Sequence, residues 1–365
     1  MFGVLLTLIF IRPFISSLAF PCLNSLYSAL FLIFLITWLI YKGISIKKIH
    51  ALKYPLILFC SVLIISVVFS INKLNSLKEL YKYISGILLF LIVVSLTYEN
   101  KICLIYIVIL AGFVISLLAI YQYFFGFQHI LDYMTKTGIT NPFALDYIQR
   151  RRAFFPFVTP NALGGYLSML IPLALSNKNT IWFIIPLSFT LLLTKSIGAL
   201  LSLFLALGIY FYLQNKLEKR KILSLLVLLV IISIVFMTRL TIQKQYLQPI
   251  FSTMMRLNYW RDTLKIIKFT PLTGLGLGNF NLAQSRYAHN SYLQLWAEMG
   301  ILGPLTILWL IILVIKSSLK NIRDSYYIAG LFISNIVFLL HNFIDFTFFL
   351  PEVAVIWWTI FGLIL

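Results

Sequence analysis

Long apolar runs separated by short polar interruptions set the pattern of this chain, and the runs are too continuous for the one-sided helices of a soluble domain. Apolar stretches cover 2–20, 23–41, 54–71, 83–98 and 102–125, the first interrupted by Arg12-Pro13. A polar interval reaches to 160, and apolar stretches return over 161–176, 181–194, 197–213 and 222–238. Beyond a second polar interval lie 299–315, 326–341 and 351–365. A helix needs roughly 20 apolar residues to cross a hydrocarbon layer, so these runs predict an all-α polytopic membrane protein of about twelve transmembrane helices (between about ten and thirteen). The whole chain, 1–365, reads as a single membrane domain. It carries a first extracytoplasmic loop over 126–160 and a main one over 239–298. An even number of spans puts both termini on one side. The N-terminal run lacks a basic leader and a small-residue cleavage site and reads as a span.

Composition agrees. Hydrophobic residues make up 61% of the chain and charged ones 11%, and the mean hydropathy of +0.99 excludes an ordinary soluble domain. Cys22, Cys60 and Cys103 lie far apart in apolar runs and read as small buried hydrophobes. Charge changes the picture more, with 29 Lys and Arg against 10 Asp and Glu. Three short loops carry Lys42, Lys47, Lys48 and Lys53; Lys216, Lys219, Arg220 and Lys221; and Lys316, Lys320 and Arg323. The predicted spans put all three on one face, which the positive-inside rule makes cytoplasmic. The outer face still holds Arg150, Arg151, Arg152, Lys195, Arg239, Lys244, Arg256, Arg261, Lys265, Lys268 and Arg286, with few acids to pair them. That excess suits a polyanionic ligand; lipid headgroups are the alternative.

Chemistry concentrates in the two outer loops. Arg150, Arg151 and Arg152 precede an aromatic segment and Pro160-Asn161, where Asn161 is expected to cap the next helix and Gly164 and Gly165 to admit a close neighbour. Arg256 and Trp260 share a face of a helix expected over 253–268, with Lys265 and Lys268 on neighbouring turns. Arginine suits bidentate phosphate contact, and an interfacial basic helix is the competing reading. Gly274, Gly276 and Gly278 lack dinucleotide-binding spacing; they form a tight turn or a loop whose N–H groups face an anion. His289 precedes Asn290, a good cap for a helix expected to run straight into a span. Neighbouring cations should lower the His289 pKa and keep it neutral, the state a general base needs. His341 and Asp345 form an ionisable pair one turn apart, either functional or closing the last hairpin. No cluster with metal-ligand spacing stands out, and neither metal nor cofactor is expected.

At these loops the sequence resembles the O-antigen ligase and polymerase superfamily of bacterial envelope glycosyltransferases. The resemblance rests on RAFFPFVTPNALGGYL (152–167), RLNYWRDTLKIIKFTPLTGLGLGNF (256–280), AHNSYLQLWAEMGILG (288–303) and HNFIDFTFFLP (341–351). It covers roughly 150–350 and implies a GT-C-like fold in a bacterial inner membrane, with the active site facing the periplasm. It also implies transfer of a glycan from an undecaprenyl-diphosphate-type donor to a hydroxyl of a glycolipid or saccharide acceptor, lipid A-core among them. By motif alignment Arg152 and Arg256 would hold the diphosphate and His289 would act near the acceptor. Asn161, Trp260, Gly276, Gly278, Asn290 and Glu298 would support them from the same motifs. Two features depart from the pattern. Ile197 stands where family members often carry an arginine, beside Lys195, and the step from Gly278 to His289 is short.

Together these expectations describe a metal-independent, inverting glycosyltransferase among membrane lipids, with no nucleic-acid partner. A repeat-unit polymerase of the same superfamily is the alternative. A glycolipid transporter or flippase is the rival from another class, which should place ionisable groups near the bilayer midplane and show inverted repeats. A non-catalytic envelope scaffold is a third.

Overall fold

Polar side chains at the ends of the apolar runs decide where helices begin. Asn72, Thr97, Thr159, Asn290 and Ser325 each accept a hydrogen bond from a first-turn N–H of the helix that follows, satisfying donors that have no intrahelical partner. The computed structural model describes residues 1–44, 49–138, 142–214, 218–240, 249–323 and 325–365. Lys47, Lys48, Lys216 and Lys244 lie outside the described residues, as do 139–141 and 241–248 of the two predicted outer loops.

In chain order the helices are α1 (Phe2–Ile11), α2 (Pro21–Lys42), α3 (Lys53–Val68), α4 (Lys73–Ser95), α5 (Tyr98–Tyr121), α6 (Phe127–Thr137), α7 (Pro142–Gln149) and α8 (Pro160–Leu175). They continue as α9 (Ile184–Thr194), α10 (Ile197–Leu213), α11 (Lys219–Leu240), α12 (Pro249–Phe269), α13 (Ser291–Met299), α14 (Leu302–Ser318), α15 (Tyr326–His341) and α16 (Pro351–Leu363). No strand occurs among the described residues. Among the described residues, four helical stretches are long and apolar enough to cross a membrane, Pro21–Lys42, His50–Val68, Tyr98–Thr137 and Lys219–Arg239, and several shorter apolar helices accompany them.

Several expectations need correction. The first apolar run is not one helix, because α1 ends at Ile11 and Arg12–Phe14 form a 3-10 turn at the proline. Helix α4 starts ten positions before the apolar run that predicted it, since Asn72 caps it ahead of its charged first turns. Much of the predicted first outer loop is helical: α5 passes through a π-turn, Gln122–Gly126, into α6. The three cysteines are exposed on the outside of the bundle rather than buried.

Helix α15 packs against α8 and α10, α16 packs against α4, and α9 packs against α8. At the α1 turn the buried Arg12 guanidinium donates to Asn24 Oδ1 at 2.7 Å and lies 3.6 Å from the Glu352 carboxylate. This pair ties the first helix to the last, where an unpaired charge would be costly.

Candidate active site

The segment between α7 and α8 delivers Arg152 by backbone pairing. Gln122 Oε1, from the π-turn, accepts from the N–H groups of Phe154 and Phe155, both at 2.9 Å. Ala153 donates to the Leu193 carbonyl at 3.0 Å. Between these anchors the buried Arg152 side chain donates through Nε to the Thr194 carbonyl at 2.9 Å and through one terminal nitrogen to Asn161 Oδ1 at 3.0 Å. Its guanidinium also lies over the Tyr147 ring, 5.6 Å from the centroid. Burial, with Arg239 adding repulsion, pulls the Arg152 pKa down to about 9. Asn161 is therefore not the cap of α8. Thr159 takes that role, and Asn161 instead accepts from Arg152 and from Ser196 Oγ at 3.2 Å.

The flanking cations are engaged in structure. Arg150 forms a 2.8 Å ion pair with Asp146, and Arg151 lies over Tyr123 at 5.6 Å. Lys195 Nζ donates to the Arg150 carbonyl at 2.9 Å, so it pins the loop that carries Arg152.

The segment from α12 to α13 brings the histidine. Helix α12 places Arg256 and Trp260 one turn apart; Trp260 Nε1 donates to the His289 carbonyl at 3.3 Å, and Arg256 donates to Ser252 Oγ at 3.0 Å. The His289 ring stacks on Tyr259, with centroids 5.5 Å apart, and meets the edge of Phe346 at 4.8 Å. Buried Arg256 Nε and His289 Nδ1 have no hydrogen-bond partner, leaving a donor and a ring nitrogen for a ligand. The His289 pKa falls to about 4: burial is the main cause, Asp345 opposes it and Arg256 adds to it. The shift has the direction expected, but desolvation rather than the neighbouring cations is its chief cause.

Asn290 caps α13 as expected, accepting from Tyr292 and Leu293 at 3.0 and 3.1 Å. The helix does not run straight into the next span. It stops at Gly300, at φ 70°, where an added Cβ would lie 1.8 Å from the Leu272 carbonyl oxygen. Ser291 then pins the start of α13 to the last hairpin, donating to Asn342 Oδ1 at 2.6 Å.

That hairpin carries His341 and Asp345, whose Nε2 and Oδ2 lie 3.9 Å apart, both buried. The His341 ring sits against Gly165, where a Cβ would come within 2.4 Å of it. The close approach anticipated at Gly164 and Gly165 is thus occupied by this imidazole and, at Gly164, by Ser196. Asp345 and Arg256 both act electrostatically on His289, which brings the hairpin pair into the same cluster.

The glycine run turns out to be a clasp. Leu275 and Gly276 donate to the carbonyls of Ala297 and Glu298 at 2.8 and 2.9 Å, and Gly278 donates to the Glu298 carboxylate at 3.0 Å. With those N–H groups engaged, the run is a tight turn rather than an anion loop. Glu298 also accepts from Gln294 at 3.0 Å, and Gln294 accepts from the Ala288 N–H at 3.2 Å. Burial lifts the Glu298 carboxyl to about 7 against these hydrogen bonds.

Among the described residues, three non-glycine residues have positive φ, namely Arg151, Lys195 and His289 at 48°, 49° and 51°. All three border this cluster, and strain of this kind persists only where the surroundings over-determine it. Tyr147, Arg239, Thr194 and Ser196 join the cluster without having been singled out from the sequence as site residues. Arg239 had counted only as one outer cation, and a carbonyl acceptor such as that of Thr194 leaves no sequence signal.

The family model of O-antigen ligase matches residues 182–310. No curated protein matches the chain. The matched segment holds Arg256, the glycine clasp and His289, whereas Arg152, His341 and Asp345 reach the cluster from outside it. The segment 182–310 is thus similar to the O-antigen ligase family, which supports the resemblance to the O-antigen ligase and polymerase superfamily.

Proposed function

We propose that the protein is a glycosyltransferase that moves a glycan from a polyprenyl-diphosphate donor of the undecaprenyl type to an acceptor hydroxyl on the periplasmic side of a bacterial inner membrane. The observation that carries this reading is a neutral, partly buried His289 set beside Arg256 within the segment matched by the O-antigen ligase model. Arg152 and Arg256 would bind the diphosphate, with Arg239 close enough to add to the field. The acceptor oxygen forms its bond to the anomeric carbon as the carbon–oxygen bond to the diphosphate breaks. The electron pair leaves on the diphosphate, where arginines stabilise the developing charge. The acceptor proton passes to a ring nitrogen of His289, and a single displacement inverts the anomeric centre.

Asn161 would orient Arg152, while Trp260 and Asn290 would fix the backbone on either side of the histidine ring. Gly276, Gly278 and Glu298 would hold α13 against the turn before it. The test is reconstitution with a lipid-linked oligosaccharide and candidate acceptors. A single product per acceptor indicates ligation, a ladder indicates polymerisation, and no transfer from any lipid diphosphate overturns the proposal. Transfer is expected to persist in excess chelator, because among the described residues no group of three or more His, Cys, Asp or Glu side chains is placed to hold a metal ion. Metal-restorable loss of activity would refute that expectation.

A further inference from the structure

Helix α12 carries two different stripes. Arg256, Trp260, Thr263 and Ile267 recur at the spacing of one helix face. That face turns inward: Thr263 and Ile267 are buried, and Trp260 reaches the His289 carbonyl. Asn258, Arg261, Asp262 and Lys265 form the opposite stripe, and all four are exposed. Tyr259 falls at the edge between the two, where its ring stacks on His289 with centroids 5.5 Å apart.

The exposed stripe is one wall of an open hollow of about 250 Å³, which Tyr259 also lines. Leu282, Ala283 and Gln284 make the other wall. They belong to a turn closed by the Leu282 N–H, which donates to the Ser285 carbonyl at 2.9 Å. Leu282 packs on a small core that includes Ile267 and Phe280, so the turn is held against α12 and both walls are fixed in advance.

The lining selects a class of ligand. Apart from Leu282 and Ala283 it is polar or aromatic, so a prenyl or acyl chain would gain little by burial there. Lys265 is paired with Asp262 at 2.8 Å, which leaves little net positive charge for a diphosphate. What remains is two amides, a carboxylate and cationic donors around one aromatic ring. Amides both donate and accept hydrogen bonds, as hydroxyls do, and an aromatic ring offers a flat surface to C–H groups. A sugar unit presents both. The volume lies just under the roughly 300–1,000 Å³ of drug-sized ligand sites, which suits one sugar unit rather than several.

We infer that this hollow is a saccharide subsite, holding one sugar of a glycan with its C–H face against Tyr259 and its hydroxyls on Asn258, Asp262 and Gln284. Because Tyr259 borders both His289 and the hollow, the sugar held there is a neighbour of the reacting unit, not the reacting unit itself. Assigning it to a substrate rests on the transferase reading; its binding does not. Donor and acceptor glycans present the same chemistry, and the kinetic arm of the test tells them apart.

The test applies the full-length protein in phosphatidylcholine nanodiscs to a microarray of bacterial surface oligosaccharides. Farnesyl diphosphate binding is read in parallel by native mass spectrometry. Saturable binding to at least one arrayed glycan is expected, weakened about tenfold in Asp262→Asn and Gln284→Ala. It should be abolished in Ala283→Trp, which fills the hollow. All three positions are exposed, so the variants should fold, and their farnesyl diphosphate binding should match that of the unaltered protein. Binding to no arrayed glycan overturns the inference. So does glycan binding indifferent to all three substitutions, or a loss of farnesyl diphosphate binding that accompanies its loss. In transfer assays the same variants should raise KM for the lipid-linked oligosaccharide if the sugar belongs to the donor, and KM for the acceptor if it belongs there. Transfer with both KM values unchanged overturns the subsite's place in the reaction. If glycan binding behaves as expected while no lipid diphosphate supports transfer, the saccharide subsite stands and the transferase reading falls.

Discussion

At the scale of single residues, the arginines and the histidine differ in what they should contribute. Arg256→Lys keeps the charge but loses the planar fork, so donor affinity and turnover should both fall. His289→Ala should leave donor binding nearly intact and lower turnover by on the order of 10²–10⁴, the usual contribution of a positioned base. Donor binding measured beside single-turnover transfer separates the two. A His289→Ala protein that fails to bind donor, yet transfers at normal speed what it does bind, would make the histidine a phosphate ligand. Because burial already holds His289 near 4, its own titration should not shape the rate between about pH 6 and 8. Glu298 titrates in that interval. Its folded-state pKa of about 7 is raised above the ordinary carboxylate value, so the native state binds the extra proton. The stability it contributes is present below the ordinary carboxylate pKa and is lost as pH rises through about 7. Thermal melts of the purified protein should shift downward from pH 5 to pH 8, and Glu298→Gln should flatten the shift. An unchanged slope in that variant would remove Glu298 as the cause.

At the scale of elements, the site depends on where helices stop. Asn290 sets the start of α13 two residues beyond Ala288, whose N–H is held by Gln294, so His289 is fixed from both sides. Asn290→Ala should cost about 1 kcal/mol of stability and lower turnover, whereas Asn290→Asp should restore most of both. Equal turnover in all three proteins, at matched folded fraction, would show that the cap does not position the histidine. The cap at Asn290 stands out in the sequence because a short polar side chain precedes an apolar run. The break at Gly300 does not, since it is imposed by the Leu272 carbonyl on a different turn. The same holds for Asn161, which local pattern marks as a cap: Pro160 at the first helical position moves that role to Thr159, leaving the amide to Arg152 and Ser196.

At the scale of the whole molecule, the short basic loops argue for cytoplasmic termini, with 126–160 and 239–298 outside. In a protein whose exposed Cys22, Cys60 and Cys103 have been replaced, impermeant thiol reagent should label a cysteine placed at Gln284 in intact spheroplasts, but not one at Lys219. The reverse labelling would put donor and loops on opposite sides of the membrane and end the proposed mechanism. Much of this level is readable from sequence alone. Apolar runs of spanning length can be satisfied in lipid only by helices or closed barrels, and runs this continuous lack barrel alternation. Gathered outer cations call for an anion, and a histidine before a good cap reads as chemistry. The sequence does not say that Arg152 and His341 belong beside His289, because they lie on segments far apart along the chain. That grouping follows from tertiary packing: His341 fits the notch at Gly165, Ser291 bonds to Asn342, and Arg152 finds its acceptors at Thr194 and Asn161. Helix formation in an apolar run is local and visible in a single pattern, whereas burial and the meeting of distant polar atoms depend on which helices pack together.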